Sequence, residues 1–84
     1  MNRYSVRYVH KIAPSDKDKG PDVDLPGGAF AGSRELGKAL RAAGVLLKGA
    51  RVATFRSEAD RVLVFPIAPG LTTYWHCIVL QVLP

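Results

Sequence analysis

Cysteine is nearly absent: Cys77 stands alone among 84 residues. A single thiol excludes an internal disulfide framework and a structural zinc site built on thiolates. Acidic residues are also scarce, seven Asp and Glu against twelve Lys and Arg, for a net charge of +5. Such a balance suits an acidic protein or nucleic-acid partner without demanding one. Arg3, Arg7 and Lys11 interrupt the first stretch, so no apolar run there has the length of a secretory signal. With the lone cysteine, this leads us to expect a reducing, cytoplasmic setting. The segment 62–84 carries no formal charge, yet Pro66, Pro69, Gly70, Thr72, Thr73, His76 and Gln81 break it up too often for a membrane span. Two buried strands joined by a turn are expected there, and no membrane partner. Internal repeats and low-complexity tracts are lacking too.

What is present is the composition of one ordinary globular domain, 48% apolar and 23% charged. Residues 3–12 alternate, with Tyr4, Val6, Tyr8, His10 and Ile12 on one face and Arg3, Ser5, Arg7, Val9 and Lys11 on the other. That period of two predicts a strand with one buried face. Residues 14–31 are rich in Asp, Lys, Gly and Pro and predict a flexible polar loop. Ser33 then offers an N-cap, Leu36, Ala39, Leu40 and Ala43 recur at helical spacing, and Gly44 suits the residue past the helix end. Gly37 weakens this short helix by about 1 kcal/mol relative to Ala, so packing must hold it.

Three strands are expected to follow, over 50–57, 61–67 and 73–83, with Pro66 marking a strand end or sheet edge. The fold class is therefore α+β, in the order strand, loop, helix, then three strands in a meander. A single helix would cover one face of a four-stranded, mostly antiparallel sheet. The last strand is apolar on both sides: Trp75, Cys77, Val79 and Leu83 on one, and Tyr74, His76, Ile78, Leu80 and Val82 on the other. Such a strand is central, or lies against a second subunit. One short helix cannot cover both faces, so a homodimer is expected, with Trp75, Cys77 and Val79 as interface residues.

The basic residues supply the candidate binding surface. Arg34, Lys38 and Arg41 fall in one sector of the helix, opposite Leu36, Leu40 and Ala43, with Arg51, Arg56 and the strand-one bases Arg3 and Arg7 expected near them. A row of this kind can follow a phosphate backbone, although a solvated helix face leaves the same trace. The glycine-rich segment 27–34 departs from a phosphate-binding loop at its key positions. Ser33 replaces the lysine and Arg34 the magnesium-binding hydroxyl, so an anion at Ser33 and Arg34 is the most it supports. Asp16, Asp18, Asp22 and Asp24 alternate around Gly20, but no closing Glu completes a calcium loop. His76 and Cys77 are adjacent on a strand and point to opposite faces, so they form no dyad; His10 could approach either across strands whose order the sequence does not fix. No metal, cofactor or catalytic residue is assigned.

The expected function is that of a small non-enzymatic interaction module that associates with itself through its apolar sheet face. The alternative is a nucleic-acid-binding protein or small ribonuclease using the basic helix and hairpin. In outline, the size, charge and helix-then-meander order resemble the RelE-like toxins. That resemblance lies in topology rather than in a motif, and a loop stands here where those toxins place a further helix. It implies Arg51, Arg56, Arg61 and His76 as the residues acting on RNA.

Overall fold

A computed structural model describes residues 2–10, 19–46, 48–67 and 75–84, with backbone alone at His10, Trp75 and His76. The elements run β1 (Asn2–His10), β2 (Val23–Leu25), a 3₁₀ turn (Gly27–Ala31), α1 (Ser33–Ala42), β3 (Arg51–Ser57), β4 (Arg61–Ile67) and β5 (Trp75–Val82). All five strands form one antiparallel sheet in the order β2-β1-β5-β4-β3, with α1 on one face. The α+β class and the element types stand, but the sheet has five strands rather than four.

The additional strand lies inside the segment read as loop. Val23 and Leu25 alternate with Asp24 and pair antiparallel to β1, Tyr4 opposite Val23 and Asn2 opposite Leu25. Both apolar side chains are buried, while Asp24 points outward opposite Arg3. A three-residue strand between Pro21 and Pro26 gives too short an alternation to stand out among Asp, Lys and Gly. Residues 14–18 of the predicted loop lie outside the described residues, as do 11–13, which include the end of the predicted first strand, and 68–74 before β5.

The register carries one buried face across the whole sheet. Tyr4, Val6, Val62, Val64, Ile78, Leu80, Val23 and Leu25 join Leu36 and Leu40 of α1 in a single core. Phe30, from the 3₁₀ turn, sits between Tyr4 and Phe55 with ring centroids 5.8 and 6.3 Å away. It closes the core where the helix is too short to reach.

β5 is central, as its two apolar faces predict. Pro66 lies opposite Val52 on β3, beyond Val64, the last β4 residue that pairs with β5. Among the described residues, β4 there has a partner on one side only, which is where a residue without an N–H is tolerated. A register shift between Val52 and Thr54 begins at the same point.

The helix ends match the sequence at one terminus and depart from it at the other. Gly44, at φ 79°, donates to the Arg41 carbonyl at 3.1 Å, and Val45 donates to the Leu40 carbonyl at 2.9 Å. This pair of bonds is a Schellman closure, and Val45 and Leu40 are both buried beside it. At the start, Gly32 rather than Ser33 occupies the cap position, and no side chain caps the first turn. Ser33 is already helical, so its hydroxyl is not placed for the capping bond. Among the described residues, no helix is long and apolar enough to cross a membrane.

A candidate anion cleft and an open sheet face

Leu36 and Leu40 anchor α1 in the core, which turns Arg34, Lys38 and Arg41 outward as the 3.6-residue period predicts. Gly37 is buried on the helix side nearest β3. Without a side chain there, the helix lies against the start of β3, and a cleft of about 410 Å³ opens between them. Ser33, Arg34, Gly37 and Arg41 of the helix line it together with Arg51 and Val52 of β3.

Arg41 spans the gap: its Nη1 donates to the Ala50 carbonyl at 2.8 Å, so the guanidinium is held by a neutral acceptor. Among the described residues, no carboxylate pairs with Arg34, Arg41 or Arg51. Three permanently charged groups from two elements therefore share one cleft without an internal counter-charge.

The other predicted bases are elsewhere. Lys38 is exposed on α1 but does not line the cleft. Arg3, Arg7 and Arg56 are exposed on the far face of the sheet, away from the helix. The strand-one bases and Arg56 thus do not extend the helix row, because a strand sends alternate residues to opposite faces and these take the one α1 leaves open.

On that open face the register sets Arg7, Val79, Leu63 and Arg56 in one row across β1, β5, β4 and β3. Val9 and Cys77 form the adjoining pair, and Phe65 lies on the same side of β4. Val9, Val79, Leu63 and Phe65 are half-buried, whereas Cys77 is buried, with 6% of its surface exposed. Burial pushes the Cys77 thiol above its ordinary pKa; a backbone hydrogen bond at Val64 and the charges of Arg56 and Arg61 pull the other way without prevailing. Cys77 and Val79 thus lie on the sheet face away from the helix, Cys77 buried within the single chain and Val79 half-buried. The side chain of Trp75 lies outside the described residues.

Of the arginines implied by the toxin resemblance, Arg56 and Arg61 meet at Glu58 while Arg51 lies apart from them. Arg51 lines the helix cleft, whereas Arg61 and Arg56 contact Glu58 at the β3–β4 hairpin, at 2.7 and 3.6 Å. The His76 side chain is outside the described residues, as is that of His10, whose backbone pairs with Trp75. Asp16 and Asp18 of the alternating carboxylates are outside them too. Among those described, no three His, Cys, Asp or Glu side chains come together as metal ligands.

Of the cleft's lining, sequence reasoning supplied Ser33 and the three arginines but missed Gly37 and Val52. A buried glycine within an amphipathic helix is the signal that could have found them, since it marks a close approach of another backbone. Comparison of the chain with protein-family models, with curated proteins and with solved structures finds no match to any of them.

Proposed function

We propose that the protein is a small non-enzymatic interaction module that works as a homodimer, two copies meeting through the open faces of their sheets. The observation that carries this is the row Arg7–Val79–Leu63–Arg56 with Val9, Cys77 and Phe65 beside it. An apolar centre bordered by arginines is the make-up of an association surface, where aromatic side chains and Arg are enriched and water is excluded from the middle. Glu58 screens Arg56 and Arg61, and Asp24 lies opposite Arg3, which moderates the repulsion two such faces would otherwise meet. The non-enzymatic part is supported by Cys77, the one thiol, which is buried and held toward its neutral form rather than as a nucleophile.

The test is the mass in solution by light scattering across a wide concentration range. A mass twice that of the 9.1 kDa chain supports the dimer. Replacing Val79 with Glu should then return a monomer whose circular dichroism is unchanged, because Val79 is off the core face. A monomer at every concentration overturns the reading.

A further inference from the structure

The cleft between α1 and β3 lies on the helix-covered layer, away from the face assigned to self-association, and it rests on separate observations. Arg34 and Arg41 from the helix and Arg51 from the strand line it with the Ser33 hydroxyl, and no carboxylate among the described residues pairs with any of the three. Like charges lining one cleft repel, although all three are exposed and solvent screens much of that repulsion. In addition, Arg34 is the second residue of α1, where the helix's positive end disfavours a cation and Glu35 is the one acidic residue of the first turn. An external anion relieves both effects.

The geometry also presents donors to such an anion. Arg41 uses Nη1 on the Ala50 carbonyl, which fixes the plane of its guanidinium while leaving other N–H groups to donate. The first N–H groups of the helix lack intrahelical partners, and the N-cap residue Gly32 has no side chain to cap them, although the Glu35 carboxylate lies at this end, its Oε2 2.7 Å from where a β-carbon on Gly32 would stand. Gly37 leaves the floor open, and even a β-carbon there would make only an ordinary contact, 3.5 Å from Arg41 Nη1. Planar guanidinium forks match the paired oxygens of a phosphate better than they match a halide. A volume of about 410 Å³ exceeds what one phosphate fills and lies within the range of small-molecule sites.

We infer that this cleft is a phosphate site, taking the phosphate group of a nucleotide or of a single nucleic-acid strand between Arg34, Arg41 and Arg51. The ligand bears its charge at Ser33 and the three arginines, and the rest of it lies along the cleft toward Val52.

The experiment is an amide-resolved NMR titration of the whole chain with three probes in turn: inorganic phosphate, adenosine monophosphate and a short single-stranded oligonucleotide. Shifts centred on Ser33, Gly37, Arg51 and Val52 are expected with at least the adenosine monophosphate or the strand. Arg34→Gln and Arg51→Gln, both at exposed positions, should each weaken binding about tenfold, the loss expected for one charge-assisted contact. Tighter binding of the strand, falling steeply as salt rises, identifies the backbone of a nucleic acid as the source. Equal binding of monophosphate and strand identifies a free nucleotide.

Two results overturn the site. One is silence at those amides with all three probes at millimolar concentration. The other is a set of shifts spread equally over Arg3, Arg7 and Arg56 that survives both substitutions. The monomeric Val79→Glu chain should bind as the parent does, so a failed dimer and a failed phosphate site are read separately.

Discussion

Gly37 of α1 lies over Val52 of β3 at a distance that would just admit a methyl group. A β-carbon at position 37 would stand 3.7 Å from the Val52 backbone nitrogen, 3.8 Å from its Cγ2 and 3.5 Å from Arg41 Nη1, all ordinary contacts. Alanine is better than glycine in a helix interior by about 1 kcal/mol. Gly37→Ala should therefore stabilise the fold by that amount, raising the melting temperature by about 4–8 °C for a domain of this size. A calorimetric scan decides it. A lower melting temperature would mean that helix and strand cannot accept the methyl group and that glycine is required for the approach.

Gly20 presents the opposite case. A β-carbon there would lie 2.9 Å from Tyr8 Cε2, closer than folded proteins show, and 3.0 Å from Val6 Cγ1, a tight contact. Neither neighbour yields easily. Val6 is fully buried, Gly20 itself donates to the Val6 carbonyl at 2.8 Å, and the Tyr8 hydroxyl is anchored on the Val45 carbonyl. Overpacking of this kind costs about 1–3 kcal/mol. Denaturant titration of Gly20→Ala should show a lower midpoint with the slope unchanged, the reverse in sign of Gly37→Ala.

The two glycines also show which parts of the molecule the sequence could convey. Alternation in β1, the apolar residues on both faces of β5, the Leu36/Leu40 period and the place of Gly44 are local patterns, and each became the element it predicts. β2 did not stand out, because Val23 and Leu25 gain their meaning only from Tyr4 and Asn2 across the ladder. The same holds for the cleft. Arg34 and Arg41 share a helix face by periodicity alone, but Arg51 joins them only because α1 packs against the start of β3. Arg3, Arg7 and Arg56 were grouped with the helix row by charge, and the alternation of their own strands carried them to the opposite face. Charge is countable along a chain, whereas which charges converge is a property of tertiary packing.

Tyr8 should give the fold an alkaline limit. Its hydroxyl donates to the Val45 carbonyl at 3.1 Å, tying β1 to the chain just past α1, and burial raises its pKa above 10.0. In the unfolded chain the phenol ionises near 10, while the folded state still holds the proton. The stability Tyr8 contributes is thus complete below pH 10 and falls as pH rises toward the higher folded value. Tyr8→Phe should cost about 0.5–1.5 kcal/mol at neutral pH, where the hydrogen bond is lost. The gap between the two proteins should then narrow above pH 10. Denaturant midpoints measured from pH 7 to 11 check this, and a constant gap would refute the ionisation argument.

Cys77 reports on the open face directly. The thiolate is the reactive form, and burial keeps the group protonated despite Arg56 and Arg61 nearby. Alkylation by iodoacetamide at pH 8 should therefore be far slower than for a free thiol and should rise to the free-thiol rate in denaturant. Labelling as fast in the native protein as in the unfolded one would contradict the burial. The Val79→Glu variant makes the measurement sharper, because Val79 is two residues from Cys77 on the same face of β5. If a second copy covers that face, the parent's labelling should slow as protein concentration rises while the variant's stays constant. Equal rates at all concentrations in both proteins would place the protection of Cys77 within one chain and remove the reason to invoke a partner there.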